Sequence, residues 1–556
     1  MTYDVTSNRR AELAISILAS LTTFAVSPLN TLDPVNLPKF WVLSCGAFGL
    51  LGLILNGWKN VIRNKNLLVA VLAFNFFAIV STSISDAPIE QMIFGTYGRN
   101  TGLITYFCFS IVLIAAANFS SASIKKTIVT SMVVTFSVNT FYGIIQLMDL
   151  DPFTWANPYT PIIGTLGNPN FMSALLGMGC GFAFAYMFAA HTTLRIRIAS
   201  LTYVLLACVN IWKSQSQQGF LLVALTFAIC VYYFLKFGFK KRIVSLIYLA
   251  MCIIGGTGVI LGMLQKGPFS GIIYKPSVTY RGDYWRAAIA SIKDHPLFGL
   301  GPDSFGDWYR YYRTLEATTR RGPTAVSDAV HNVFLDIGST TGLLSMLAYL
   351  FIIAVALISA LKQLRLEKSF DPFLIAILSI WIAYLAQSVI SINNIGLGIW
   401  GWVLPGLIIS REAWHKTEIL NSRNARTKNR KSLDFSSLFL TIGMVVGGTV
   451  GFIPFNADAS FRHALESANP QSIYSIANKW PEDTSRLLYA VQVFDNNKIY
   501  DKATQLARKT TEINPRSYNA WFYLYGSPSV TGNEKREILD RLKALDPHNP
   551  DLKKLG

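Results

Sequence analysis

Acidic side chains are scarce in this chain of 556 residues: 31 Asp and Glu stand against 49 Lys and Arg, and charged residues make up only 14%. Soluble domains carry about 25% charge, so an ordinary soluble globular protein is excluded. Cysteine is sparse too. All six (Cys45, Cys108, Cys180, Cys208, Cys230 and Cys252) fall within apolar runs. That placement argues against a disulfide framework and a thiolate metal site, and suits small buried hydrophobes. No HExxH, no GxSxG and no Walker phosphate loop occurs anywhere. The segment SPLNTLDPVNLPK between the first two apolar runs holds one acidic residue, Asp33. A divalent metal held against a diphosphate needs paired carboxylates. If the chain is an enzyme, its expected chemistry uses neither metal nor cofactor.

What the chain has in abundance is apolar sequence, 52% of its residues. Thirteen apolar runs recur, near 12–28, 40–56, 67–83, 101–118, 127–147, 171–190, 197–212, 219–235, 243–264, 341–361, 372–391, 396–410 and 436–454. Each is long enough to cross a bilayer as a helix, although 197–212 and 396–410 are short. The expected fold is all-α: a polytopic membrane protein with about 13 transmembrane helices over 1–455 and a helical domain over 456–556. The first run has no small-residue cleavage site and reads as a span rather than a removable signal peptide.

Lys and Arg set the orientation. With the amino terminus inside, the inner set is Arg9 and Arg10; Lys59, Arg63 and Lys65; Lys125 and Lys126; Arg195 and Arg197; Lys236, Lys240, Lys241 and Arg242; Lys362, Arg365 and Lys368; and the cluster from Arg411 to Lys431. The short outer segments hold only Lys39, Arg99 and Lys213. This asymmetry accounts for most of the +18 net charge as anchors on the cytoplasmic face, without nucleic acid. It places the loop at 265–340 and the tail from 456 outside the cytoplasmic membrane.

The tail repeats one grammar, a helix end followed by Asn-Pro or Asp-Pro and a new helix, in ALESANP, TTEINPRSYNAW and LKALDPHNPDL. Pro515 and Pro547 are 32 residues apart, close to the tetratricopeptide period of about 34. Ala503, Leu506, Ala507, Ala520 and Tyr523 sit at helical spacing and read as packing between helices. Such a module suits docking of a partner or acceptor.

The long polar loop carries the candidate chemistry. In SVTYRGDYWRAAIASIKDHP, Trp285, Ile289 and Ile292 share one helical face, with Arg286 and Lys293 off it. This predicts an amphipathic helix on the membrane surface, capped by Asp283 and stopped by Pro296. Arg281, expected just before it, either forks to a phosphate or snorkels to lipid headgroups. The glycines of PLFGLGPDSF suit a tight turn. In TAVSDAVHNVFLDIGSTTG, Asp328 reads as a helix cap that puts His331 in the first turn. The positive end of a helix disfavours imidazolium, so a neutral, proton-accepting His331 is expected, with a purely structural role as the alternative. Gly338 and Gly342 mark an expected break before the next span. Arg99, the Asn168 and Asn170 turn, Lys213, Gln217 and Gln218 are further polar residues at outer span boundaries.

Four segments together, GTYGRNTGL, GTLGNPNF, RxxxW…HPLFGLGPDSF and HNxxL…G, resemble the O-antigen ligase superfamily of multi-span glycosyltransferases, over about residues 1–455. The resemblance implies metal-free transfer of a glycan from a polyprenyl diphosphate carrier to a lipid, protein or wall-polymer acceptor outside the membrane. It implies that Arg281 grips the diphosphate and that His331 activates or positions the acceptor hydroxyl. Arg99, Lys213, Gln218, Trp285 and Asn332 would contact substrate. The family's second arginine, in a Ser-Arg-Gly element, is here Gln218 in SQSQQGF, which brings a hydrogen bond but no charge. A phosphate grip then leans on Lys213 or another basic residue. Two rivals stand beside ligation: a glycan polymerase with the same donor, and a small-solute transporter. Transporters carry intramembrane charges and inverted repeats, and this chain shows few of the former and no clear instance of the latter.

Overall fold

The computed structural model describes residues 5–57, 64–155, 160, 162–421 and 435–555. Lys59, Arg63, Arg423, Arg426, Lys428, Arg430 and Lys431 of the expected inner anchors lie outside the described residues. Among the described residues every regular element is helical. Hydrocarbon offers no partner to a backbone N–H or C=O, and a helix satisfies both within itself.

Each of the thirteen apolar runs falls largely within a helix. Nine of the described helices are long and apolar enough to cross a membrane, and Leu103–Phe119 and Pro372–Ser388 are shorter apolar helices. The remaining two, Val5–Phe24 and Ile395–Asn421, carry charged side chains within their length. At the centre, Trp381, Trp400, Tyr384 and Phe109 are fully buried. Elsewhere the helices approach through glycine. A Cβ on Gly52 would stand 2.0 Å from the Phe439 carbonyl oxygen, and one on Gly443 2.1 Å from that of Phe48. Helix Asn36–Asn56 therefore packs backbone to backbone on helix Ser436–Glu466, the way small residues substitute for a hydrophobic drive in lipid.

The two ends of the bundle differ. At one end Arg411 donates to Gln363, Glu367 and Asp371 at 2.9, 2.7 and 2.5 Å, and Glu12 accepts from the Ser121 amide at 2.8 Å. The opposite end gathers the long loop, the segments 25–36, 85–102, 150–155 and 162–168, and the C-terminal helices. There the buried Lys39 donates to the carbonyls of Ala25 and Thr165, both at 2.7 Å.

No break marks the composition change at 455/456: the 31-residue helix Ser436–Glu466 continues across it, with Pro454 inside. Its Asp458 accepts from the amides of Leu32 and Asp33 at 2.6 and 3.2 Å, and its Arg462 donates to the carbonyls of Pro28 and Thr31 at 2.8 and 2.9 Å. Five further helices, Pro470–Ala477, Thr484–Asn496, Tyr500–Ile513, Tyr518–Gly526 and Gly532–Leu545, follow. Ala503, Leu506, Ala507 and Ala520 are buried between them, with Tyr523 partly so.

These helices clamp the long loop. Arg310 of helix Phe305–Tyr312 and Arg313 just after it both reach Asp546, at 3.1 and 2.5 Å, and Arg313 and Asp546 are each 1% exposed. The guanidinium of Arg516 lies 3.1 Å from the Trp308 ring centroid, and Asn514 donates to Asp307 at 2.9 Å. Removing one partner of a buried ion pair strands the other. Asp546→Ala is expected to cost about 3–5 kcal/mol of stability, read as a lowered unfolding midpoint of the detergent-solubilised protein. A midpoint within error of wild type would show that the clamp contributes nothing.

Candidate active site

Three segments from distant parts of the chain build the site. The first is helix Pro276–Asp294, started by proline at its first turn. Asp283 is not its cap, because the helix begins two turns earlier. Asp283 instead lies buried mid-helix and receives Arg286 and Arg320, the latter at 2.7 Å to each carboxylate oxygen. The buried face is Asp283, Tyr284, Ala287, Ala288 and Ser291. Trp285 and Ile289 stay partly or fully exposed on the other side, as a surface-lying face requires. The helix ends at Asp294, with Pro296 just beyond. Arg281 lies within this helix, one turn before Trp285, and is half-buried.

The second segment carries His331. Asp328 does not cap the helix that follows. That helix is Val333–Thr340, and Asn332 caps it, its amide oxygen accepting from the Phe334 and Leu335 amides at 3.0 Å each. His331 therefore precedes the helix, in the left-handed region at φ 55°. Tyr284 stacks on its ring at 5.4 Å, and the Trp285 indole N–H donates to its carbonyl at 3.4 Å. The expected break before the span is real and falls at Thr341 and Gly342, whereas Gly338 stays inside the helix. Gly342 sits at φ 87°, and a Cβ there would stand 2.1 Å from the Leu297 carbonyl oxygen.

The third segment is the loop at 95–102. Arg99 forms a buried ion pair with Asp303 and donates to the Asp328 carbonyl at 2.5 Å. Thr96 adds two bonds to Asp303, its amide to the carboxylate at 2.8 Å and its hydroxyl to the carbonyl at 2.7 Å. Asp336 stands 4.0 Å from Arg99 and accepts from the Val330 amide at 3.4 Å. Its carboxyl is pushed up to about 6, mainly by burial, with Arg99 opposing.

These contacts give His331 its protonation state. Its pKa is lowered to about 4, first by burial, then by Arg281, with smaller contributions from Arg99 and Arg321; Asp328 opposes. The neutral imidazole expected from sequence is thus favoured, but by desolvation and cationic neighbours rather than by a helix end. Burial also lowers Arg281, and Tyr284 opposes that shift.

Arg281 lines a cavity of about 340 Å³ with Lys275, Gln215, Gln218 and Asn170, flanked by Met263, Ile272 and Ile273. Lys275 also donates to the Gln215 carbonyl at 3.2 Å. The structure thus unites Arg281 with Gln218, and places Lys213 elsewhere, exposed over the Trp212 ring at 5.1 Å. Gln218 is buried and donates to Gln387 at 3.1 Å, while its own amide oxygen has no partner. Sequence reasoning missed Lys275, whose signal was its place six residues before Arg281, and also Asp303 and Gln387, which only the fold brings close. Among the described residues no group of three or more His, Cys, Asp or Glu side chains is placed to hold a metal.

The helical bundle thus presents an arginine–lysine cavity and, near it, a buried histidine kept neutral, both at one end of its spans. Residues 172–350 match the family model described as O-antigen ligase. The matched stretch is about a third of the chain, and over it this multi-pass membrane protein is similar to O-antigen ligases. Arg281, His331, Lys213, Gln218, Trp285 and Asn332 all lie inside the matched region, and Arg99 outside it. The chain is also 23% identical over 335 residues to the exopolysaccharide production protein ExoQ of Rhizobium meliloti (strain 1021), covering 58% of this chain and 72% of that protein.

The environment of His331 has a direct readout. A free histidine titrates near 6.5. Nuclear magnetic resonance of histidine-labelled protein should show His331 neutral down to about pH 5, protonating only nearer 4. Because its pKa is depressed, the neutral form is kept above that value and lost only as pH falls through it. Arg281→Gln should move the midpoint upward. A wild-type midpoint at 6 or above would contradict the buried, cation-ringed setting.

Proposed function

We propose that the protein moves a glycan from a polyprenyl diphosphate carrier to an acceptor on the outer face of the cytoplasmic membrane, without a metal. The observation that carries this reading is the cavity in which Arg281 and Lys275 meet beside an apolar flank of Met263, Ile272 and Ile273. Two cations suit a diphosphate, and the apolar flank suits the first isoprene units. The acceptor hydroxyl oxygen attacks the anomeric carbon, and the bond from that carbon to the phosphate oxygen breaks. The diphosphate leaves with the electron pair, and its charge is held by Arg281 and Lys275. The hydroxyl proton passes to His331. An imidazole with so low a pKa is a weak base in the empty site. A bound diphosphate offsets the field of Arg281 and raises the basicity of His331 when the donor is in place.

Trp285 and Asn332 act in this reading by holding His331 and the turn after it. Arg99 acts by anchoring Asp303 and the Asp328 backbone. The basic residues at the opposite end support an inner amino terminus, with the long loop and the C-terminal helices outside. Those helices we read as a tetratricopeptide-like module suited to docking an acceptor. A second reading, polymerisation onto another lipid-linked unit, is favoured by the likeness to a protein named for exopolysaccharide production. Mass spectrometry of the product's reducing end separates the two.

His331→Ala is expected to slow transfer about 10²–10⁴-fold, the usual contribution of a positioned base. Arg281→Ala should abolish surface glycan at normal membrane levels of the protein. Wild-type glycan in both variants would refute the assigned roles.

A further inference from the structure

A second cavity, of about 650 Å³, opens on the other side of the His331 segment, lined by Asp328, Arg99, Asn36, Asn168, Asn394 and Trp155 among others. Its chemistry differs from that of the Arg281 cavity. The cations that border it are already engaged: Arg99 by Asp303 and the Asp328 carbonyl, and Arg462 by Glu466 and the carbonyls of Pro28 and Thr31. Little positive charge is left for a phosphate. What remains is a set of amides, two carboxylates, the buried Asp33 and the exposed Asp328, and an aromatic face.

Each of these groups is held in place. The Trp155 indole N–H donates to Asp151 at 2.9 Å and to the Tyr142 hydroxyl at 3.1 Å, which fixes the plane of the ring. Asn168 caps helix Pro169–Phe188 through its amide oxygen, at 2.9 Å from the Asn170 amide, which leaves the NH2 group to donate elsewhere. Asn394 likewise caps helix Ile395–Asn421 through its oxygen, and its NH2 reaches Asn36 at 3.5 Å. Asp328 is exposed, and only its backbone carbonyl, not its carboxylate, is bonded. Asn393, which also borders the cavity, keeps a buried amide oxygen without a partner. Fixed amide donors, an unbonded carboxylate acceptor and a rigid aromatic plate are what a ring carrying several hydroxyls requires. Each hydroxyl both donates and accepts, and the C–H face of the ring packs on the indole.

We propose that this cavity is a saccharide subsite that binds pyranose rings of the glycan substrate, with Trp155 as the stacking platform and Asp328 and Asn168 as hydroxyl partners. The proposal rests on the transferase reading, because its use is to bring a sugar hydroxyl or a glycosyl unit to His331, three residues from Asp328. The sugar comes either from the carried glycan or from a glycolipid acceptor, and both offer the same chemistry.

The test uses the full-length protein in detergent and three probes. One is farnesyl diphosphate. The second is the oligosaccharide released by mild acid from the host's lipid-linked precursors. The third is the saccharide portion of envelope glycolipids from cells lacking this protein. Wild type is expected to bind at least one saccharide by calorimetry, and the one that binds identifies the source. Trp155→Ala and Asp328→Asn should each weaken that binding ten-fold or more, Trp155→Phe should largely restore it, and farnesyl diphosphate binding should be unchanged in all three variants. Saccharide binding that survives both substitutions, or its absence from wild type at millimolar concentration, overturns the subsite. Unaltered farnesyl diphosphate binding in Arg281→Ala would instead overturn the diphosphate assignment and leave the saccharide result standing.

Discussion

The buried ion pair of Arg99 with Asp303 is the joint on which the loop-bearing end of the bundle turns. Neither charge is stable alone in that setting, because desolvation there exceeds what water contact could return. Held together, they draw a loop between two early helices onto a turn some two hundred residues later. Arg99 then spends its other arm on the Asp328 carbonyl, and so fixes the strand of backbone that ends at His331. Gly301, at φ 103°, lets that turn pass so close to Ser85 that a Cβ would stand 2.4 Å from its hydroxyl. One electrostatic contact and one missing side chain thus set the height of the histidine above the bundle.

From this joint the two cavities acquire opposite characters. Where arginine is consumed by carboxylate, the surface left over is amide and aromatic. Where arginine has no carboxylate beside it, at Arg281, the surface is cationic. The chain has few acidic residues, and placing Asp303 against Arg99 rather than near Arg281 is what keeps the latter available. The same scarcity explains why Asp283 and Asp546 each serve two arginines.

Much of the bundle was legible in sequence because hydrocarbon imposes one period and one length on everything that crosses it. The position of Arg281 and His331 on the long loop was legible from motif resemblance, and the neutrality of His331 from elementary electrostatics. The cap was misplaced by four residues, because Asp328 and Asn332 are both good caps and only tertiary contact decides between them: Asp328 lends its backbone to Arg99, leaving Asn332 to start the helix. The start of helix Pro276–Asp294 was missed because Asp283 looked like a cap, while Pro276, the true first-turn residue, stood seven positions earlier. Gln387 and the amide cavity were invisible for a different reason. Their partners come from segments more than fifty residues apart, and no local spacing records that they meet.

Helix Ser436–Glu466 emerges from the bundle unbroken, with Pro454 inside it, and is pinned to the segment 28–33 through Asp458 and Arg462. Twelve residues of helix beyond Pro454 correspond to about 18 Å of rise at 1.5 Å per residue. A flexible tether would let the terminal helices sample a hemisphere of positions; this arm behaves as a ruler. The terminal helices therefore stand at one altitude and one bearing over the long loop they clamp.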